Sequence, residues 1–345
     1  MKPGERISVV IPAHNGLPDL LQAVQSVLNQ TEQPHELIVV DDASVDGGGE
    51  AVVQRFGDAV QVLTGHFGSA SAARNAGWRA ANGEWIAFLD ADDVWFPEKL
   101  RVASELLRAA PHADWFFSDG EFLTLDGQLH DSWFGLYADI TEPYCGSPLA
   151  QLFEVNFVLT SSTVVRRSAL EANHGFDETL THAEDLDLWV KLSRRGSATA
   201  SGRPLLRYQH REGGLSRQTE NRLSGGAKLF DRLSVDAALT PALRRLALRR
   251  ASMYHFKLAL HALRQGKQAQ ARDRFRRSWL FPDRVKPVLF GYAAACIPAA
   301  WFAGLRRHSA ARAVAKPLAA LRRVNLQESA SHSPVSGSAA EGGRT

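Results

Sequence analysis

Apolar residues run along this chain in two alternating rhythms. Ile7 to Pro12 (ISVVIP) is an unbroken, β-branched apolar run, the pattern of a strand buried on both faces. After a short loop, Ala13 to Gly16, the segment Leu17 to Gln30 sets Leu20, Leu21, Val24, Val27 and Leu28 at helical spacing, which predicts an amphipathic helix. Glu36 to Val40 (ELIVV) returns to strand. The alternation continues with a helix over Val52 to Phe56, a strand over Val60 to Leu63, a helix over Ser71 to Ala81 and a strand over Trp85 to Leu89. Repeated strand–helix–strand units predict an α/β fold with a mostly parallel sheet covered by helices. In such sheets ligands sit beyond the carboxyl ends of the strands.

Those ends carry polar and acidic residues. His14 and Asn15 follow the first strand, Asp41 and Asp42 the second, and Asp90, Asp92 and Asp93 follow WIAFL. The first turn, PAHNGLPDL, lacks the glycine fingerprint that lets a backbone approach a pyrophosphate, which argues against a dinucleotide-binding fold. Alternate carboxylates in Asp90-Ala91-Asp92 can share one hard cation, and Mn²⁺ or Mg²⁺ takes one or two protein carboxylates together with substrate phosphates. Helix capping is the competing explanation for Asp93, because Trp95, Phe96 and Pro97 lead into a helix expected near Glu98.

Composition widens the picture. The chain has 345 residues, 45% of them hydrophobic, enough for a sizeable α/β core and a smaller second region. Cys145 and Cys296 stand far apart, with neither a disulfide framework nor a zinc spacing, which fits a reducing compartment. The opening MKPGERISVVIPAHN has no apolar leader segment, so the chain is expected to start in the cytoplasm. The net charge of +3 hides an asymmetry: Pro241 to Asn325 holds 19 Lys or Arg against Asp273 and Asp283, leaving 21 basic and 35 acidic residues elsewhere. An acidic catalytic part and a basic part that meets an anionic partner are expected. Glu328 to Thr345, rich in Ser, Ala and Gly, reads as a disordered tail.

The segments ISVVIPAHNG, IVVDDASVDG, SAARNAGWRAANGEWIAFLDADD and GFDETLTHAEDLDLWVKL stand in the order and spacing of glycosyltransferase family 2. The resemblance covers about residues 6 to 215 and implies an inverting enzyme of the GT-A fold. It implies nucleotide-sugar contacts from Pro12, Ala13, His14 and Asn15, with His14 where the family often has Tyr, and from Asp42, Arg74, Asn75, Asp90 and Ala91. The competing readings are an ordinary loop histidine for His14, an Asx turn for Asp42 and a surface cation for Arg74. Asp90, Asp92 and His210 are implied as metal ligands for Mn²⁺ or Mg²⁺; a loop histidine is the alternative at His210.

In the same resemblance Asp185 is the catalytic base, with Glu184 the second candidate and Asp187 turned away on the helix. An acidic first turn that complements the helix dipole is the alternative for this cluster. Trp189 and Leu192 read as core. The implied partners are a nucleotide-sugar donor, a UDP-sugar, and a glycan or lipid-linked acceptor of cell-surface polysaccharide assembly. No aromatic-interleaved motif points to nucleic acid. A non-catalytic nucleotide-sugar-binding subunit is the competing class, against which the intact Asp185 motif argues.

Between Leu123 and Thr160, Trp133, Phe134, Tyr137 and Tyr144 are candidates for acceptor contacts or for core. The expected organisation is a catalytic domain over 1–220, a helical basic region over 221–326 and a tail over 327–345. Pro287 to Leu305 runs without a charge, but Ala, Gly and Pro298 favour shallow insertion at the cytoplasmic face of a membrane over a span. A buried appendage helix is the alternative.

Overall fold

The computed structural model describes residues 6–124, 126–138, 140, 144–209, 219–278 and 292. His210, the 287–305 segment apart from Tyr292, and the tail lie outside the described residues. Four strands open the chain: β1 (Ile7–Ala13), β2 (Glu36–Asp42), β3 (Gln61–Gly65) and β4 (Trp85–Phe88). They pair in parallel in the order β3-β2-β1-β4, joined by α1 (Leu17–Leu28), α2 (Gly48–Phe56) and α3 (Ala70–Ala80). Each predicted element lies within a few residues of its predicted place.

Beyond β4 the sheet changes character. β5 (Val94–Trp95), α4 (Lys99–Ala109), β6 (Ala113–Leu123), β7 (Leu129–His130) and α5 (Phe134–Tyr137) follow in sequence. Next come β8 (Tyr144–Gly146), α6 (Leu149–Glu154), β9 (Val164–Arg166), α7 (Arg167–Ala172), α8 (Glu184–Arg195) and β10 (Ser197–Gln209). β9 runs antiparallel between β4 and β6, β10 is parallel to β6, and β5, β7 and β8 add antiparallel edges. The sheet is therefore mixed, where a mostly parallel one is expected from the first half. β9 reverses direction between its neighbours, so β6 and β10 run the same way as β1. The carboxyl ends of β1, β2, β4, β6 and β10 consequently share one edge.

Both faces of the sheet are covered because successive strand residues point to opposite sides. Val10, Ile38, Val40, Phe88, Trp115 and Phe117 join one buried cluster, while Val9, Ile11, Val39, Ala87 and Phe116 join the other. On the first face α3 packs close through its small residues. A Cβ on Gly77 would stand 2.3 Å from Cγ1 of Val10, so only glycine permits this approach. Ser69 caps α3 by accepting from Ala72 N, which places the SAARN segment on the first helical turns. Trp189 of α8 stacks on Trp115 and is core, as expected, together with Leu192.

Three more helices, α9 (Thr219–Ser234), α10 (Pro241–Arg264) and α11 (Gln268–Arg277), follow the sheet. Pro241 opens α10 behind Thr240, whose hydroxyl accepts from Leu243 N, a favoured start. Leu229, Phe230 and Leu233 of α9, and Ala247 and Ala251 of α10, lie in the same buried cluster as Trp189 and Phe153.

Candidate functional site

The loops after β1, β2 and β4 and the start of α8 meet at the shared edge. After β1, His14 is exposed and its Nδ1–H donates to the carbonyl of Asp42 at 2.6 Å. Asn15 adopts a left-handed φ of 60°, accepts from Val45 N and donates its own N–H to the Ser44 hydroxyl. These bonds lash the first loop to the second. Pro12 is half-buried, while Ala13 belongs to the second core cluster.

Asp42 is 9% exposed, and its Oδ1 accepts from the N–H groups of Phe67 and Gly68. One carboxylate oxygen thus holds the 67–68 loop beyond β3. It is Asp41, not Asp42, that closes the turn with Ser44, accepting its N–H at 3.1 Å.

Arg74 is the centre of the arrangement. It is 6% exposed, so the surface-cation reading fails. Its guanidinium donates to Oδ1 of Asp90 at 2.7 Å and to Oε1 of Glu184 at 3.2 Å, and lies over the Phe176 ring. A buried cation between two carboxylates is tied more strongly than a solvated pair, since little water screens it. The charges of Asp90, Glu184 and Asp185 outweigh its burial and hold it protonated.

Asn75, expected in the nucleotide pocket, is used entirely inside the protein. Its amide donates to the Phe176 carbonyl and to Glu178, and its Oδ1 accepts from Trp78 Nε1 and Phe176 N. At 1% exposure it braces the 176–178 turn against α3 and leaves no donor for a ligand.

The acidic loop after β4 folds into a turn in which Asp93 N donates to the carbonyl of Asp90. Asp90 and Asp92 are partly exposed, and Ala91 packs against the second core cluster. Asp93 is not the cap of α4, because Glu98 occupies that position. Its buried carboxylate accepts from the Ser161 hydroxyl and from Gln209 N. Burial first, then Asp92 and Asp90, raise its pKa well above the usual carboxylate range. Ser161 also accepts from Asp90 N, so the turn is clamped between the 160–162 segment and the end of β10.

Among the described residues no three His, Cys, Asp or Glu side chains gather into a cation cage. Asp90 and Asp92 still suit Mg²⁺ or Mn²⁺, which use one or two carboxylates and complete the shell with phosphate and water.

At the start of α8 the backbone of Ala183 takes a left-handed φ of 66°, unusual for a residue with a Cβ. It aims Glu184 and Asp185 toward Arg74. Asp185 is partly exposed; its Oδ1 accepts from Leu186 N and its Oδ2 from the Asn156 amide at 2.8 Å. Burial raises its pKa, opposed by these bonds and by Arg74. Glu184 is raised to about 7, by burial first and by Asp185 second, against the pull of Arg74. Asp187 faces the other way, paired with Lys191 and Arg232.

Asn156 and Ser161 hold the two acidic groups yet belong to no motif visible in the sequence. The polar run Thr160 to Thr163 inside an apolar stretch is the one signal that marks the second of them.

The mixed α/β sheet flanked by helices, with its acidic loops at the carboxyl edge, has the GT-A fold of nucleotide-sugar transferases. Residues 8–170 match the family model for glycosyl transferase family 2, and this part of the chain belongs to that family. An uncharacterized glycosyltransferase of Rickettsia bellii is 26% identical over 224 residues, 64% of this chain and 31% of the relative. A UDP-Glc:alpha-D-GlcNAc-diphosphoundecaprenol beta-1,3-glucosyltransferase, WfgD of Escherichia coli, is 33% identical over 102 residues, 29% of this chain and 40% of the relative. The chain thus spans about a third of the length of several curated relatives it matches.

Among solved structures, S. aureus TarS 1-349 in complex with UDP-GlcNAc has a TM-score of 0.64 at 19% identity, covering 84% of this chain and 88% of that one. Mannosyltransferase PcManGT of Pyrobaculum calidifontis, in complex with GDP-Man and Mn2+, has a TM-score of 0.57 at 19% identity, covering 94% and 86%. At these identities the likeness is one of fold.

Proposed function

We propose that the chain is an inverting glycosyltransferase that moves a sugar from a UDP-sugar to a glycan or lipid-linked acceptor in cell-surface polysaccharide assembly. The observation that carries this reading is Arg74, which joins Asp90 of the acidic turn to Glu184 beside Asp185. In a single displacement the acceptor oxygen bonds to the anomeric carbon as the bond to the diphosphate breaks, and the hydroxyl proton passes to a base. Asp185 is that base. Asn156 and Leu186 N hold its carboxylate in one orientation, and its partial exposure leaves it open to a hydroxyl. The first two loops, with His14, Asn15 and Asp42, take the nucleotide. Asp90 and Asp92 would hold Mn²⁺ or Mg²⁺, which neutralises charge on a departing diphosphate. The names of TarS, crystallised with UDP-GlcNAc, and of WfgD support a UDP-sugar donor and a lipid-linked acceptor; PcManGT, solved with Mn2+, supports the metal.

The proposal also places the enzyme at the cytoplasmic face of a membrane. Residues 241–278 hold 11 Lys or Arg against Asp273, and Arg245, Arg249, Arg264, Lys267 and Arg277 are exposed. Among the described residues no helix is long and apolar enough to cross a membrane; the exposed cations suit electrostatic contact with anionic headgroups.

A panel of nucleotide sugars, incubated with Mn²⁺ or Mg²⁺, tests the reaction. Release of the nucleoside diphosphate by the wild type, lost in Asp92→Ala and in Asp185→Asn, is expected. Equal turnover in all three proteins would overturn the assignment.

A further inference from the structure

At the same edge, beside the acidic loops, lies an aromatic cluster that the proposed chemistry leaves unused. Phe122 near the end of β6 and Tyr208 near the end of β10 stack with centroids 5.7 Å apart. Trp133 meets Phe122 at 5.5 Å and Tyr208 at 5.6 Å, and Tyr137 packs on Trp133 at 4.4 Å. Phe134 is core at 4% exposure, but its neighbours are not: Tyr137 is 40% exposed and Leu136 38%. Trp133 and Tyr208 are half-buried.

Buried and partly buried polar bonds hold the cluster in place. Asp119 of β6, 2% exposed, accepts from Phe134 N, from the Ser132 hydroxyl and from Gly120 N. Trp133 donates its backbone N–H to Gly120 and its indole N–H to the Phe157 carbonyl at 2.8 Å. The residue before Phe157 is Asn156, whose amide orients Asp185. One short segment thus fixes both the indole and the carboxylate, so the rings stand at a set position relative to Asp185.

We infer that Trp133, Tyr137 and Tyr208 form the platform for a sugar ring of the acceptor. This rests on the reading of Asp185 as the base. A pyranose has an apolar face of C–H bonds and a rim of hydroxyls, which matches flat rings whose edges stay wet. Fixing that ring against the platform holds one hydroxyl near Asp185 and converts an encounter into a positioned attack. A rigid mount serves this role, since looseness of an ångström is costly in such a step.

Octyl glycosides of glucose, galactose and N-acetylglucosamine are the probes, observed by saturation-transfer NMR with the full chain. UDP release from UDP-glucose and UDP-N-acetylglucosamine in the absence of acceptor is measured in parallel. Tyr137→Ala and Trp133→Leu are expected to weaken glycoside binding by about tenfold, the weight of one ring contact. Tyr137→Phe is expected to bind like the wild type. Unchanged binding in Tyr137→Ala, whose exposed ring can be removed without opening the core, overturns the platform, as does a wild type that binds none of the glycosides. A wild type that releases no UDP counts instead against the glycosyltransferase reading.

Discussion

Two adjacent carboxylates at the start of α8 have different surroundings, Glu184 against Arg74 and Asp185 against Asn156. Glu184 titrates at about 7, so the folded protein keeps a proton there that the unfolded chain, with an ordinary value of 4.5, has already lost. The folded state then binds more protons across that window, and stability falls as pH rises through it. Glu184→Gln is expected to flatten this fall, read from urea midpoints at either end of the window; an unchanged slope would place the titration elsewhere. Asp185, the proposed base, is also raised, and a base must be deprotonated to act. Activity is therefore expected to drop on acidification with a midpoint above that of an ordinary aspartate, seen in a pH profile of kcat/KM. Asp185→Asn is expected to lose this limb together with about 10² to 10⁴ of the rate. Arg74, Asp90 and Glu184 were legible as polar residues at element ends. Their ion pairs were not, since 110 residues separate Arg74 from Glu184.

Single glycines set the distances between whole elements. Gly77 lets α3 lie on β1, and a methyl group there meets Val10 at 2.3 Å. Gly77→Ala is expected to destabilise by about 1–3 kcal/mol, the usual weight of overpacking, measurable as a lower urea midpoint. Gly225 of α9 faces the loop before α8, where an added Cβ would lie 2.2 Å from the His182 carbonyl oxygen. That loop leads into Ala183 and Asp185, so Gly225→Ala is expected to lower kcat while the KM for the donor holds. The gain in helix propensity, about 1 kcal/mol, offsets part of its strain, so this variant should lose activity before stability. Equal kcat in the variant and the wild type would show that α9 does not set the position of the base.

Across the whole molecule, the basic helices are both a cover for the core and a charged surface. Ala247 and Ala251 of α10 seal the cluster that holds Phe230 and Leu239, so removing everything after Thr240 would uncover apolar side chains and confound any test of membrane binding. Reversal of exposed charges avoids that. Arg245→Glu, Arg264→Glu and Arg277→Glu together are expected to abolish flotation with anionic liposomes at low salt, given about 1 kcal/mol per basic residue near the surface, while UDP release persists. A triple variant that floats like the wild type would refute electrostatic docking through these cations.

The sequence alone determined the first four strands, the helices between them and the acidic turns at their ends, because burial period and turn chemistry are local properties. His14, Asp42 and Asp90 stood out by their place after a strand, and Asp185 by the resemblance of its segment to glycosyltransferase family 2. Tertiary structure decided what those residues touch. The antiparallel insertion of β9 turned the second half of the sheet so that β6 and β10 end beside β4, which no local pattern encodes. Tertiary structure also turned Asn75 onto the 176–178 turn and Asp93 into the interior, since a polar residue on a helix or turn looks the same in sequence whether its partner is a ligand or a distant backbone group. Asn156, Ser161 and Asp119, which hold the acidic groups and the aromatic rings in place, act across the chain, and contacts of that range exist only once the sheet has formed.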